Sequence, residues 1–308
     1  MSRILDGRAA ASAIRAEVAQ QVAALASHGM RPPCLAPVLV GENPASLLYV
    51  RNKIKACREA GITTREQRLP DSVTQKDLVG LVKELSADEA VDGILVQMPL
   101  PVGVSRRAVI EAIDPGKDVD GFHPLNAGRL WSGEPGFVPC TPLGVMELLD
   151  RERIPVEGAE AVVVGRSEIV GRPMGALLLR RNATVTFCHS RSRELSGLTS
   201  RADLLVVATG RPAVITREFI KPGATVIDVG INQVTGEQQA RDLFGDDASR
   251  LAEIRGKGHT LVGDVHPLHV AERAGAYTPV PGGVGPLTVA LLLRNTLDAA
   301  RARRGITE

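Results

Sequence analysis

Aromatic residues are scarce in this 308-residue sequence, which contains one tryptophan, two tyrosines and five phenylalanines. Proteins that bind single-stranded nucleic acid stack its bases on aromatic side chains, so this scarcity argues against such a ligand. An excess of charge of either sign is also missing, because the formal net charge is only +2. The sequence therefore predicts no nucleic-acid partner and no binding to an anionic membrane surface.

Cysteine is scarce as well, and the few cysteines are scattered, with no C-x-x-C pair: Cys34, Cys57, Cys140 and Cys188. We expect reduced thiols in a cytoplasmic protein, without a disulfide framework and without a zinc site. No apolar run approaches the ~20 residues that a membrane-spanning helix needs. The polar segment from Ser2 to Arg8 does not open a secretory signal peptide either. The composition, 44% hydrophobic and 23% charged, is typical of a soluble globular protein of about two domains.

Short apolar runs alternate with helical patterns along the chain, which predicts α/β layers with parallel strands. The predicted strands lie at residues 34–40, 62–69, 91–97, 161–164, 183–188, 204–208, 224–229 and 261–265. The main predicted helices lie at residues 8–27, 45–60, 74–85, 141–151, 174–179 and 287–300. Two segments have little periodicity. Residues 113–141 are predicted as a functional loop or an interdomain connection, and residues 235–258 as a surface excursion.

One stretch, from Ala161 to Gly175, joins a buried strand through a glycine turn to a helix. Such a unit directs the backbone N–H groups at the helix start toward an anion, as in dinucleotide-binding folds. The spacing is not G-x-G-x-x-G, because Ser167 stands where the second glycine would be. An ordinary strand-to-helix turn of an α/β sheet is the alternative.

The end of the next predicted strand indicates which dinucleotide this unit would bind. A site for NAD favours an Asp or Glu here, to hold the ribose 2′-hydroxyl. The sequence instead has Ser190, Arg191 and Arg193, and Arg166 lies in the first turn. Hydroxyl and guanidinium groups suit a 2′-phosphate, so the predicted cofactor is NADP.

Tyr49 and Lys53 lie four positions apart on one predicted helix and therefore share a face. The helix follows a strand, so its first turns lie at the carboxyl end of a sheet, where ligands bind in open α/β folds. Gln97 ends another strand at the same edge, where a buried amide needs hydrogen-bond partners. The alternative is a surface lysine that extends its charge into water, beside a structural glutamine.

Two carboxylates, Asp118 and Asp120, precede His123 in one short segment. We interpret the carboxylates as turn former and hydrogen-bond acceptor, because no further cluster of metal ligands accompanies them. No metal site is predicted. We interpret three later histidines as loop residues, since an H-x-x-H pair without carboxylate or cysteine support is weak evidence for zinc: His259, His266 and His269.

Six motifs fall in order along the chain: Ser46 to Lys53, Asp92 to Pro101, Lys117 to Phe122, Pro139 to Pro142, Val164 to Ser167 with Val170 to Pro173, and Pro281 to Pro286. Together they resemble those of the bifunctional methylenetetrahydrofolate dehydrogenase/methenyltetrahydrofolate cyclohydrolase family. The resemblance implies two α/β domains. Residues 1–140 would form the catalytic, folate-binding domain, and residues 141–284 a Rossmann-like NADP-binding domain. The C-terminal helix, residues 285–303, would return to the first domain, and the protein would be a homodimer.

By position, the resemblance also implies roles for single residues. Lys53 resembles the catalytic lysine, Gln97 its partner, and Asp120 the carboxylate that hydrogen-bonds the pterin ring. Tyr49 resembles the tyrosine that stacks on the folate. The other implied positions are Gly282 and Gly283 in a loop that closes over the folate, and Gly165, Arg166, Ser167, Ser190 and Ile231 at the NADP. Two segments depart from the family pattern: residues 235–258 are longer, and His266 to His269 replace a region that tends to be acidic and aromatic.

The implied chemistry belongs to one-carbon metabolism: NADP-dependent oxidation of 5,10-methylenetetrahydrofolate to the methenyl compound, then hydrolysis to 10-formyltetrahydrofolate. Burial and a nearby cationic substrate both lower the pKa of a lysine, so Lys53 is predicted to take the proton from the attacking water. The alternatives are an NADP dehydrogenase for another substrate, a dehydrogenase without the hydrolase, and a non-enzymatic dinucleotide sensor.

Overall fold

The computed structural model describes residues 2–306. The chain divides by its contacts into two compact units. The first unit contains residues 11–140 and 288–306, and the second contains residues 2–10 and 141–287. The sequence-based boundaries placed residues 1–10 in the first domain. The structure groups residues 2–10 with the second unit instead, because Arg3 N donates to Gly275 O at 2.8 Å and Leu5 N to Tyr277 O at 2.8 Å.

The strands are β1 (Arg3–Ile4), β2 (Cys34–Val40), β3 (Thr63–Thr64), β4 (Gln67–Leu69), β5 (Gly93–Val96), β6 (Glu160–Val164), β7 (Thr184–Cys188), β8 (Leu204–Val207), β9 (Thr225–Asp228), β10 (Asn232–Val234), β11 (Thr260–Val262) and β12 (Ala276–Tyr277). The helices are α1 (Gly7–Ser27), α2 (Pro44–Glu59), α3 (Gln75–Ala87), α4 (Arg106–Glu111), α5 (Pro124–Ser132), α6 (Cys140–Arg151), α7 (Gly171–Arg180), α8 (Leu195–Thr199), α9 (Glu237–Phe244), α10 (Ala248–Lys257), α11 (Pro267–Arg273) and α12 (Val284–Arg303). One helical turn of 3₁₀ type spans Arg217–Phe219. No helix in the described part of the chain is both long and apolar enough to cross a membrane.

The first unit is built on a parallel sheet in which β2 pairs with β5 on one side and with β3 and β4 on the other. The predicted strand at residues 62–69 is divided into β3 and β4. The register stays constant across the gap, and the residues of β2 that lie opposite it are Ala36 and Pro37. Proline has no N–H to donate, so the ladder is interrupted there.

Helix α2 begins where its sequence provides a cap. The Asn43 side chain accepts hydrogen bonds from Ala45 N and Ser46 N, and Pro44 occupies the first turn, where it loses no helical bond. Val50 is buried against the unit. The helix therefore starts at the carboxyl end of β2. This is where the sequence predicts the first turns of the helix that carries Lys53.

Residues 288–306 contact the rest of the first unit through specific hydrogen bonds. Asn295 Nδ2 donates to Val119 O at 2.8 Å and to Val138 O at 3.2 Å. Arg304 donates to the fully buried carboxylate of Asp92 at 2.8 Å. These bonds attach the second half of α12 and the turn after it to the sheet of this unit.

The second unit contains a six-stranded sheet in the order β1-β12-β9-β8-β6-β7, and all its neighbouring strands are parallel. The alternation β6-α7-β7 is the predicted strand, turn and helix unit. This mixed α/β architecture with a parallel, Rossmann-like sheet confirms the predicted fold class.

Two segments predicted as irregular are partly helical. Residues 113–141 contain α5. His123 caps its start by accepting from Leu125 N, and the left-handed Gly133 caps its end. Residues 235–258 form α9 and α10, and their apolar side chains pack with β10 and β11 as a small cluster: Val234, Ala240, Leu243, Leu251, Ile254 and Val262. Neither segment shows a helical signal in the sequence because these helices are short, so caps and a narrow apolar face define them better than periodicity.

Candidate active site

The first unit brings the predicted lysine and glutamine together. Lys53 Nζ donates to Gln97 Oε1 at 3.2 Å. Gln97 directly follows β5, and its backbone N–H donates to Val38 O of β2 at 2.9 Å. The amide Nε2 of the same side chain donates to Met98 O at 2.8 Å, which leaves the amide oxygen facing the lysine. The glutamine therefore holds the ammonium group at the carboxyl edge of the sheet.

Tyr49 lies one helical turn before Lys53 on α2, and 51% of its surface is exposed. A large apolar ring that is exposed beside a polar pair is available to stack against a flat ligand. The structure thus places the predicted stacking residue next to the predicted catalytic lysine.

The turn that carries Asp120 is organised by its buried neighbour. Asp118 accepts hydrogen bonds from Phe122 N at 3.1 Å, His123 N at 2.8 Å and Asn126 Nδ2 at 2.9 Å. Gly121 has φ +71°, and a Cβ there would lie 2.5 Å from the backbone of Val138, so only glycine fits. Asp118 therefore acts as the predicted turn former.

A fully buried lysine anchors the other end of this turn. Lys117 Nζ donates to Leu85 O at 3.1 Å and Asp88 O at 2.7 Å, which are carbonyls at the end of α3. Burial lowers the pKa of Lys117. Its role is structural, because helix C-termini present unpaired carbonyls that a cation can satisfy.

Asp120 lies between opposing electrostatic effects. Burial raises the pKa of Asp120 to about 6, and the Asp118 carboxylate adds to the increase. The positive charges of Lys53 and Arg106 oppose it. The side chain lines a small cavity whose other walls include Ile94 and Phe122. Asp120 is therefore mostly ionised at neutral pH and can accept a hydrogen bond there.

Two thiols near the lysine do not act as nucleophiles. Burial raises the pKa of Cys57 to about 12 and that of Cys140 well above its usual value, although the charge of Lys53 opposes both shifts. A protonated thiol is a poor nucleophile. Among these three side chains, Lys53 is the group suited to exchange a proton with a substrate.

Arg106 is a site residue that the sequence reasoning missed. Its guanidinium carbon lies 5.5 Å from the centroid of the Phe122 ring, and its Nε is buried without a hydrogen-bond partner in residues 2–306. The residue opens α4, a helix of six residues with no predicted periodicity. Ser105, which caps α4 through Ala108 N, was the one local signal.

The glycine turn of the second unit is closely packed. Gly165 has φ +138°, and a Cβ there would lie 2.3 Å from Ala208 O. A Cβ on Gly171 would lie 2.2 Å from Gly165 O. The start of α7 therefore lies directly against the turn after β6. Two glycines make this approach possible, as in folds that cradle a pyrophosphate.

The hydrogen bonds at this turn differ from the prediction. Ser167 Oγ accepts from Val170 N at 3.2 Å and Gly171 N at 3.3 Å, and Ser167 O accepts from Arg172 N at 3.0 Å. The first N–H groups of α7 are thus satisfied within the chain and do not point at an anion. In the described part of the chain, the N–H groups of Arg166 and Ser167 have no acceptor, and both side chains are exposed. The turn before the helix, not the helix itself, offers free donors.

The remaining predicted cofactor residues lie at the same edge. β6 and β7 are paired, so Ser190, exposed just after β7, and the turn after β6 follow neighbouring strand ends. Ser192 accepts from His189 N at 2.9 Å and shapes this second turn. Ile231, which follows β9, is 50% exposed. An apolar side chain exposed at this position can contact a flat ring of a ligand.

Two aspartates behind this edge were not predicted. Asp228 accepts from Gly230 N, Asp264 N and Val265 N, each at 2.9 Å. Asp264 accepts from Thr209 N at 2.5 Å and from Gly210 N at 2.9 Å. Burial raises the pKa of Asp228 to about 7. The pair fixes the loops that follow three strands.

The predicted glycine loop near the end of the second unit is tightly held. Gly282 has φ +110°, and Gly283 N donates to Pro279 O at 2.8 Å. A Cβ on Gly7 would lie 1.7 Å from Gly283 O, so the loop rests directly on the start of α1. The same chain segment that extends the sheet therefore also supports this loop.

The later histidines are only partly loop residues. His269 lies within α11, and its ring stacks on that of His266 with centroids 3.8 Å apart. The interpretation of His269 as a loop residue was wrong because α11 is too short to show periodicity. In residues 2–306, no group of three or more His, Cys, Asp or Glu side chains could hold a metal ion.

Two family models cover most of the sequence. The catalytic domain of tetrahydrofolate dehydrogenase/cyclohydrolase matches residues 5–120, and the NAD(P)-binding domain of the same enzymes matches residues 139–304. The chain belongs to the tetrahydrofolate dehydrogenase/cyclohydrolase family. The resemblance inferred from six motifs is thereby confirmed.

Curated relatives of this family match over the full chain. The bifunctional protein FolD of Koribacter versatilis is 54% identical over 307 residues, which are 100% of this chain and 99% of that protein. The FolD protein of Solibacter usitatus is 52% identical over 306 residues, 99% of this chain and 100% of that protein.

Solved structures of the family share the fold. The FolD dehydrogenase/cyclohydrolase of Campylobacter jejuni has a TM-score of 0.89 and 43% identity, covering 98% of this chain and 100% of its own. FolD of Trypanosoma brucei, solved with NADP and an inhibitor, has a TM-score of 0.88 and 36% identity, covering 100% of this chain and 99% of its own. These matches confirm the prediction of a bifunctional folate enzyme with a nicotinamide cofactor.

Proposed function

We propose that this member of the tetrahydrofolate dehydrogenase/cyclohydrolase family oxidises 5,10-methylenetetrahydrofolate with NADP and then hydrolyses the methenyl product to 10-formyltetrahydrofolate. The observation that carries the hydrolase half is the hydrogen bond from Lys53 to Gln97, beside the exposed Tyr49 and the partly buried Asp120. These groups together provide an aromatic surface, an acceptor and a proton-exchanging amine.

Binding of the folate depends on Tyr49 and Asp120. The Tyr49 ring stacks against a flat part of the folate, and the Asp120 carboxylate accepts hydrogen bonds from the N–H groups of the pterin. The aspartate turn is fixed by Asp118 and Lys117. The ring is therefore held in one orientation with its one-carbon bridge toward Lys53.

In the dehydrogenase step, the protein mainly has to hold the donor carbon and the acceptor ring within reacting distance. The nicotinamide, when bound, supplies the acceptor for the hydride. The resulting methenyl cation is stabilised by its two nitrogens. The chain contributes orientation, through the folate residues of the first unit and the cofactor residues of the second.

In the cyclohydrolase step, water attacks the methenyl carbon and must lose a proton. The amine of Lys53 is the group that takes that proton. Gln97 Oε1 keeps the amine in place. The same amine can return the proton to the nitrogen that leaves as the ring opens.

Cofactor binding is assigned to the edge of the second unit. Gly165 allows the pyrophosphate to approach the backbone, and the exposed Arg166, Ser167 and Ser190 are the groups that suit a 2′-phosphate. Ile231 would contact the nicotinamide side. The glycines at Gly165 and Gly171 let the turn after β6 and the start of α7 pack closely, as in dinucleotide-binding folds.

We further propose a cytoplasmic homodimer. Four free cysteines among residues 2–306 suit a reducing compartment. Light scattering after size exclusion tests the dimer, and a single monomeric species at micromolar concentration would contradict it.

An absorbance assay tests the function. Purified protein is given methylenetetrahydrofolate with NADP or NAD in parallel, and methenyltetrahydrofolate alone in a second cuvette. We expect methenyl formation that is faster with NADP, and accelerated loss of the methenyl compound. Formation of the methenyl compound without its accelerated loss would leave only a dehydrogenase. No activity in either assay would favour a sensor or another substrate.

A further inference from the structure

Residues 232–262 form an arm with its own small core. β10 and β11 pair in antiparallel fashion, and α9 and α10 lie between them in sequence. The apolar cluster of these four elements includes Val234, Leu243 and Ile254. The arm begins directly after Ile231, which follows β9 at the proposed cofactor edge. It is therefore more than a surface excursion.

One arginine of α10 connects the arm to the glycine loop. Arg250 Nη2 donates to Val280 O at 2.8 Å, and Nη1 donates to Leu261 O at 3.2 Å and Thr260 Oγ1 at 3.2 Å. Its guanidinium carbon lies 4.6 Å from the centroid of the Phe244 ring. Only 18% of the side chain is exposed.

Val280 is the residue immediately before Pro281, Gly282 and Gly283. Its carbonyl, which accepts from Arg250, therefore immediately precedes the glycine loop that the resemblance to the family assigns to the folate. The far end of this loop is fixed by the contact of Gly283 with Gly7. Arg250 thus holds the near end, and the two contacts together define the position of the glycines.

We propose that Arg250 is a positioning residue for the folate, and that the arm serves to hold the loop from Val280 to Gly283 in its binding position. This inference rests on the proposed function and on the assignment of Gly282 and Gly283 to the folate, which the resemblance to the family implies. The planar guanidinium can reach two carbonyls of different segments at once. A lysine, with a single charged nitrogen, cannot reproduce that fork.

The decisive variant is Arg250→Met, which keeps a long apolar side chain and removes the guanidinium with every donor. Arg255→Met is the matched control, because Arg255 lies on the same helix and pairs only with Glu237 inside the arm among the contacts that the structure shows. We expect Arg250→Met to raise the KM for methylenetetrahydrofolate about tenfold, equivalent to ~1.4 kcal/mol. The Kd for NADP should stay within about twofold of the wild-type value. The KM of Arg250→Lys should lie between those of the wild type and Arg250→Met.

Hydrogen exchange on the free protein gives a second readout that needs no activity. In Arg250→Met, the peptide that contains Gly283 should exchange faster, while peptides of α10 exchange as in the wild type. Faster exchange throughout the arm would mean that Arg250 only stabilises the arm, and this would overturn the inference. An unchanged KM with unchanged exchange at Gly283 would also overturn it.

The design separates this inference from the proposed function. If the wild-type protein does not turn over methylenetetrahydrofolate, the proposed function fails, whatever the variants do. If the wild type is active and Arg250→Met matches Arg255→Met in KM and exchange, only the role of Arg250 fails.

Discussion

Asp120 shows how single residues of the site depend on their electrostatic surroundings. Burial alone would favour the neutral carboxylic acid, while Lys53 and Arg106 favour the carboxylate. The result is a pKa of about 6. A carboxylate tuned in this way is typical of a functional site, and its titration gives a direct test.

We predict an acid limb near pH 6 in the pH profile of kcat/KM for methylenetetrahydrofolate. The pKa of Asp120 is raised by burial, so the carboxylate is lost as the pH falls through about 6. Activity at pH 5 should be about tenfold below the plateau. Arg106→Met should move the limb to higher pH, because a positive charge that lowers the pKa is removed. Asp120→Asn should be slow at every pH, and a limb that persists in this variant would assign the titration to another group.

At the cofactor, we predict that Arg166→Ala weakens NADP far more than NAD. A guanidinium that pairs with a 2′-phosphate contributes roughly 1.5–3 kcal/mol, which corresponds to about 10- to 100-fold in Kd. Arg172→Ala is a suitable control, because this arginine on α7 is also exposed. Its Nη1 lies 3.7 Å from Glu168 Oε1. Fluorescence titration with NADP and with NAD gives the ratio of variant to wild-type Kd for each dinucleotide. Equal losses for NADP and NAD would argue against recognition of the 2′-phosphate.

Among the elements, the turn between β6 and α7 depends most on backbone packing. Its tightness comes from Gly165 and Gly171, and the serine between them satisfies the helix start. The chain thus uses a side-chain hydroxyl where other dinucleotide folds leave the helix N–H groups for the phosphate. Among the described residues of this element, the backbone donors that stay free lie in the turn itself.

Gly171→Ala should therefore disturb the element as a whole. The new Cβ would lie 2.2 Å from Gly165 O, so either the turn or α7 must shift. We expect a loss of about 1–3 kcal/mol in the free energy of unfolding, as for overpacking elsewhere, together with weaker NADP binding. Gly197→Ala in α8 is the control, because the nearest atom to its Cβ is 4.0 Å away. Equal denaturation midpoints and NADP affinities for the two variants would contradict this account.

Across the whole molecule, the parallel layers and the lysine site could be predicted from the sequence. Parallel strands bring their carboxyl ends to one edge, so residues after β2 and β5 had to meet, and Lys53 and Gln97 do. The short helices α5, α9 and α10 could not be predicted, because caps and tertiary contacts define them. Arg106, Asp228 and Asp264 could not be predicted either, because their roles depend on contacts between distant parts of the sequence.

Two of those omissions show the limit in physical terms. Arg106 approaches Phe122 and influences Asp120 only after the chain folds, although nothing in its local pattern indicates a site. Asp228 and Asp264 lie 36 positions apart, and the Asp228 carboxylate accepts from the backbone N–H of Asp264. A single sequence gives no signal for such pairings, whereas local patterns suffice for strands and their ends.

The most direct test of the central claim measures hydrolysis of methenyltetrahydrofolate by wild-type protein and by Lys53→Met. Lys53 takes up the proton in the cyclohydrolase step, so the variant should lose at least about 100-fold in hydrolysis. Its Kd for NADP should match that of the wild type, which shows that the protein is folded. Lys55→Met, an exposed neighbour on α2, should hydrolyse normally. Hydrolysis at the wild-type rate in Lys53→Met would contradict the account.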